Sequence, residues 1–226
     1  MQSAGLEGSP VSGAKALAFL ASLLALSWPF VRYLLDPRVG SRLTSVRNDL
    51  QTIAIEWTIS IVLALVIFGA QRQQPAFVGL RNMHWPDWVL VIPVFVFTLI
   101  ASGLVSRVVR APTFDLHGMA AVPFAVRLSL VLTAAICEEF MFRGVAIEEL
   151  GVLAGSRWFS AIISVTLFGL GHLGVYGFSS ALLIPTTVGL VLTLLYMLRN
   201  NLVLFVIVHA LMDGLFLLLV PLFIHG

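Results

Sequence analysis

Residues 88–109 read WVLVIPVFVFTLIASGLVSRVV, an apolar run in which Arg107 is the one charge. A helix crosses the hydrocarbon core of a bilayer with about 20 mostly apolar residues, so this run is long enough to span. Comparable runs lie at 14–35, 50–70, 124–147, 158–175, 178–198 and 202–223, separated by polar or Gly/Pro-containing connections. The reading is an all-α, polytopic transmembrane helix bundle with about seven membrane helices. It forms a single integral membrane domain over 1–226, with a short tail at 1–13 and the chemistry-bearing helices at 124–223. No alternating ten-residue pattern of a barrel is present, and unpaired backbone groups in lipid cost several kcal/mol each, so the spans are helical.

Composition points the same way. Of the 226 residues 59% are hydrophobic and 11% charged, against roughly 25% charged in ordinary soluble domains. The net charge of +2 comes from 12 Arg and one Lys scattered among the connections, so a nucleic-acid partner has no support. Cys137 is the single cysteine and reads as a small apolar helix residue; no intramolecular disulfide can form. The first apolar run is longer than a signal-peptide core, which makes it a retained span, and the chain is expected in the cell membrane as a multi-pass protein. The connections 36–49, with Arg38, Arg42 and Arg47, and 71–87, with Arg72 and Arg81, share their basic residues too evenly to assign an orientation.

Ionisable residues inside the spans concentrate in the second half of the chain. Glu56, in the second run, reads as an interfacial charge. In the fourth run, Ala134-Ala135-Ile136-Cys137-Glu138-Glu139-Phe140-Met141-Phe142-Arg143 sets two carboxylates and a guanidinium in apolar sequence. Insertion scales put a charge at a helix centre at about 2.5 to 3.5 kcal/mol. Glu139 and Arg143 meet this cost as an i,i+4 pair with the acid on the favourable N-terminal side. Glu138, about 100° further round the helix, has no such partner in its own helix. It must find one elsewhere or be neutral, the condition under which a carboxyl group can trade protons.

The fifth run contains Phe168-Gly169-Leu170-Gly171-His172 and the seventh His209-Ala210-Leu211-Met212-Asp213. Two His, two Glu, an Asp and an Arg on three helices are best satisfied as one shared polar cluster. Gly169, Gly171 and Gly174 around His172 allow either a broken helix end or ordinary close packing. His84 and His117 fall in polar connections and His225 at the terminus. Trp88, Trp158 and Tyr176, near span ends, fit an interfacial aromatic belt.

The ordered set Glu138-Glu139-x-x-x-Arg143, Phe168-x-x-x-His172 and His209-x-x-x-Asp213 resembles the CPBP family of intramembrane proteases, which includes CAAX prenyl endopeptidases and Abi or bacteriocin-processing proteins. The resemblance covers about the last 90 residues; the first half matches only as unmarked hydrophobic helices. It implies hydrolysis of a peptide or protein substrate in or beside the lipid bilayer. Glu138 would be the general base, His172 its partner, Glu139 and Arg143 the support of that helix, and His209 and Asp213 the stabilisers of the oxyanion. An ionised Asp213 cannot donate a hydrogen bond, so it is expected either to be protonated or to orient His209.

Glu138, His172 and His209 are also a ligand set known from catalytic Zn2+ sites. There is no HExxH helix, however, and a glutamate mechanism uses the same residues around one water, so a site requiring no cofactor is the preferred expectation. Two rival functions remain open at this stage. One is a proton-coupled transporter, against which no matched broken segments of an inverted repeat are seen; the other is a non-catalytic membrane scaffold or immunity protein of the same fold.

Overall fold

The computed structural model describes residues 10–35, 46–110 and 116–223, and among them every regular element is helical. The 1–9 part of the expected tail, most of the Arg-bearing connection 36–49, the side chain of His117 and His225 lie outside the described residues. The long helices are α1 (Pro10–Leu35), α2 (Val46–Ala70), α3 (Trp85–Val108), α4 (124–154), α5 (Arg157–Tyr176), α6 (Ser180–Arg199) and α7 (Leu202–Phe223). A short turn, Pro75–Val78, and a short helix, Leu116–Ala121, lie in the connections.

By length and composition α2, α3, α5, α6 and α7 are able to cross a membrane. The count of about seven is therefore approximate. The apolar stretch of α1 is shorter, Gly13–Trp28, and α4 carries Arg127, Glu138, Glu139 and Arg143 along its length. The outer surfaces are apolar: Ile92, Phe97, Ile100 and Leu104 of α3 and Phe159 and Ile162 of α5 are all exposed. Water cannot wet such faces cheaply and lipid can. The protein is an integral, multi-pass membrane protein.

The charged helix is the central one. α4 packs against α1, α2, α5 and α7, while α6 bridges α3 and α5. Every residue from Cys137 to Ile147 is buried, so the groups that lipid tolerates least are those with the most protein around them. The backbone is π-helical over Ala134–Ile147, the widened i→i+5 form that accumulates at functional sites. Trp57 Nε1–H on α2 donates to Thr133 Oγ1 at the start of this stretch (3.0 Å).

One end of the bundle is closed by polar clasps. Asp87 at the head of α3 accepts from Arg199 and from Asn201 Nδ2, tying α3 to the α6–α7 junction. Glu148 pairs with Arg157 and accepts from Tyr196 OH, joining the ends of α4, α5 and α6. Gly79, at φ +75°, lies against the Tyr196 ring and accepts from Leu202 N–H (2.7 Å). A side chain there would meet both a left-handed backbone and the phenol.

Candidate active site

Glu139 is fully buried, and its Oε1 accepts from Arg143 NH1 (2.9 Å), the expected i,i+4 pair. Arg143, also fully buried, spreads its remaining donors over α6: Nε to Thr193 Oγ1 (3.3 Å) and NH2 to Gly189 O (3.2 Å). Its guanidinium lies 4.4 Å from the centre of the Phe168 ring, a cation–π contact of the kind that strengthens on desolvation. A buried charge pair persists when its leftover donors are satisfied, and α6 does this here.

The same Glu139 Oε1 lies 2.8 Å from His209 Nδ1. The shared polar cluster expected from the sequence is joined at Glu139, which meets both Arg143 and His209. With Nδ1 held by a carboxylate, Nε2 is the ring nitrogen left for chemistry. It faces Asp213 Oδ2 at 3.6 Å and Glu138 Oε2 at 4.0 Å. Four angstroms is too long for a direct hydrogen bond and suits one bridging water.

His172 ends the first helical segment of α5 (Arg157–Gly171), with φ −91° and ψ 5°. Its Nδ1 lies 2.9 Å from Phe168 O one turn back, so Nε2 is again the outer nitrogen. The Phe168 ring links the parts: its centre is 5.0 Å from the His172 ring and 6.3 Å from the His209 ring. Both readings of the glycines hold in part. The helix breaks beside Gly171, and a Cβ on Gly169 would collide with Thr186 of α6.

Glu56 is a correction. α2 starts at Val46, earlier than expected, which puts Glu56 well inside the helix, and it is 2% exposed rather than interfacial. The Cys137 thiol lies beside the Ser60 hydroxyl and in the field of both Glu56 and Glu138, so α2 delivers a third carboxylate to the neighbourhood of the cluster. An intramembrane carboxylate is itself the signal that could have flagged it. Tyr176 stands at the end of α5, as expected, and its ring centre is 6.5 Å from that of His172. Thr193 and Gly189 had no sequence signal, because both act through ordinary helix-surface groups.

No three His, Cys, Asp or Glu side chains among the described residues are grouped to hold a metal ion.

Residues 120–215 match the family model of the type II CAAX prenyl endopeptidases, Rce1-like. Over these residues the chain is similar to that family. The match takes in all three signatures, from Glu138 to Asp213. No curated protein and no solved structure matches the chain. The matched segment comprises α4 to α7 almost entirely, while α1, α2 and α3 precede it and pack around α4 and α6.

Proposed function

We propose that the cluster hydrolyses a peptide bond with a water activated by Glu138 and without a metal. The observation that carries this reading is the placement of His209, whose Nδ1 is 2.8 Å from Glu139 while its Nε2 is 4.0 Å from Glu138 and 3.6 Å from Asp213. A water between Glu138 and His209 gives up a proton to the Glu138 carboxylate as its oxygen attacks the scissile carbonyl carbon. The oxyanion that forms is met by N–H from His209 Nε2, the imidazolium being held by Glu139 behind it. Asp213 either donates to the same oxygen as a neutral acid or steadies the ring. Collapse breaks the C–N bond, and the proton held by Glu138 passes to the leaving amine.

In this reading His172 Nε2 is the partner of Glu138 on the side of the α5 break, and Arg143 holds Glu139 in place without touching substrate. The substrate is a membrane-associated peptide; prenylated and unprenylated peptides are the two classes to compare. The test is cleavage by purified protein in proteoliposomes, followed by mass spectrometry of the products. Glu138→Gln and His172→Ala are expected to lower kcat by about 100- to 10,000-fold, the range for loss of a general base. Undiminished cleavage by Glu138→Gln would reject the mechanism, and an intact biological role in Glu138→Ala would favour the non-catalytic scaffold.

A further inference from the structure

The short helical segment that follows the α5 break carries a phenol to the polar cluster. Leu173–Tyr176 resumes the helix after His172, and Tyr176 N–H donates to His172 O (3.0 Å), which fixes Tyr176 one turn beyond that imidazole. Phe168, His172 and Tyr176 therefore form a row at i, i+4 and i+8, with ring centres 5.0 and 6.5 Å apart in turn. Gly177 follows at φ +61° and ψ −173°, a conformation essentially confined to glycine, and ends the row. Ser179 Oγ–H donates to Tyr176 O (2.8 Å), so the backbone of Tyr176 is held on both sides.

A tyrosine that serves only as an interfacial anchor needs no more than headgroups around its hydroxyl. Tyr176 is half-buried, its ring is tilted 39° to the His172 imidazole, and its phenol stands in the field of the Asp213 carboxyl group on α7. Two helices thus each bring a residue of the cluster to it. Its hydroxyl has no hydrogen-bond partner among the described residues. A donor that is held in place, partly covered by protein and not already spent is what a developing oxyanion requires. His209 supplies one N–H to that oxygen, but Asp213 supplies a second donor only when protonated. A phenol donates with no change of ionisation.

We propose that Tyr176 is a further catalytic residue, whose phenol O–H donates a hydrogen bond to the scissile carbonyl oxygen as that oxygen becomes an oxyanion. The proposal rests on reading the cluster as a peptide hydrolase. The phenol keeps its proton throughout: the oxygen it meets gains charge as water adds to the carbonyl carbon and loses that charge when the C–N bond breaks. With Tyr176 on α5 and His209 on α7, Asp213 need not be neutral for two donors to be present.

The experiment compares wild type, Tyr176→Phe and Glu138→Gln as full-length chains in proteoliposomes, on a fluorogenic peptide with and without a prenyl group on its cysteine. Phenylalanine keeps the ring against His172 and removes only the hydroxyl. Tyr176→Phe is expected to lower kcat by about 100- to 1,000-fold, the effect of losing one oxyanion donor, with KM and the thermal midpoint unchanged. The same peptide with a phosphinate in place of the scissile amide mimics the tetrahedral oxyanion, and its affinity is a readout that packing alone would not move. Tyr176→Phe should weaken phosphinate binding by about the factor lost from kcat/KM and leave binding of the matched N-methylated peptide unchanged. Full kcat in Tyr176→Phe beside an inactive Glu138→Gln would overturn the role of the tyrosine alone, as would equal weakening of the phosphinate and the N-methylated peptide. Cleavage undiminished in Glu138→Gln would instead remove the hydrolytic mechanism on which the proposal stands.

Discussion

His209 has its two ring nitrogens committed to different neighbours, and the chemistry follows from which one each carboxylate takes. Glu139 holds Nδ1, so Nε2 must face Glu138 and Asp213. A metal-ligating histidine is oriented by its second nitrogen in the same way, and here a carboxylate orients an imidazole toward Glu138 and Asp213. Asp213 is the residue whose role a single oxygen-to-nitrogen change separates. If Asp213 donates as a neutral acid, Asp213→Asn retains cleavage and flattens the alkaline limb of the pH–rate profile, because an amide donates without ionising. If it acts as an anion that steadies His209, the same variant loses cleavage.

The supporting elements explain why these side chains are held still. α6 contributes no acid or base to the polar cluster, yet it receives the Arg143 donors at Thr193 and Gly189 and leaves room for Phe168. A Cβ on Gly189 would lie 2.6 Å from Phe168 Cδ1, so Gly189→Ala must push the ring that touches Arg143, His172 and His209. Overpacking of this kind costs about 1–3 kcal/mol. The expected outcome is a lower thermal midpoint in detergent together with reduced kcat. Reduced stability with unaltered kcat would mean that Phe168 is packing alone and does not set the positions of the imidazoles.

Two properties belong to the assembled bundle. The proposed mechanism uses Glu138 and His209 around one water, so cleavage by purified protein is expected to survive prolonged treatment with a zinc chelator; loss of cleavage restored by zinc would refute the metal-free mechanism. The second property is a pH dependence of stability at the clasped end. Glu149 sits near 6 in the folded protein, against an ordinary 4.5, because burial disfavours its charge. The folded state therefore binds more protons than the unfolded state between these values, and this contribution to stability is lost as pH rises from about 4.5 through 6. In detergent without added phospholipid, Glu149→Gln is expected to raise the thermal midpoint above pH 6 and to leave it nearly unchanged at pH 4. A gain of the same size at both pH values would assign the effect to packing.

Hydropathy alone specified that this chain is helical and crosses a membrane, because in lipid every backbone group must be bonded within its own helix. The i,i+4 spacing likewise specified the Glu139–Arg143 pair, and the order of the three motifs gave the resemblance to the CPBP family. Relations between helices were out of reach. That one Glu139 oxygen serves both Arg143 and His209, that α6 receives the rest of the guanidinium, and that Glu56 turns inward were settled by packing. Helical periodicity states which face a residue occupies and carries nothing about which neighbour will cover it; only when α4 is wrapped by α1, α2, α5 and α7 do the buried charges have a single place to meet.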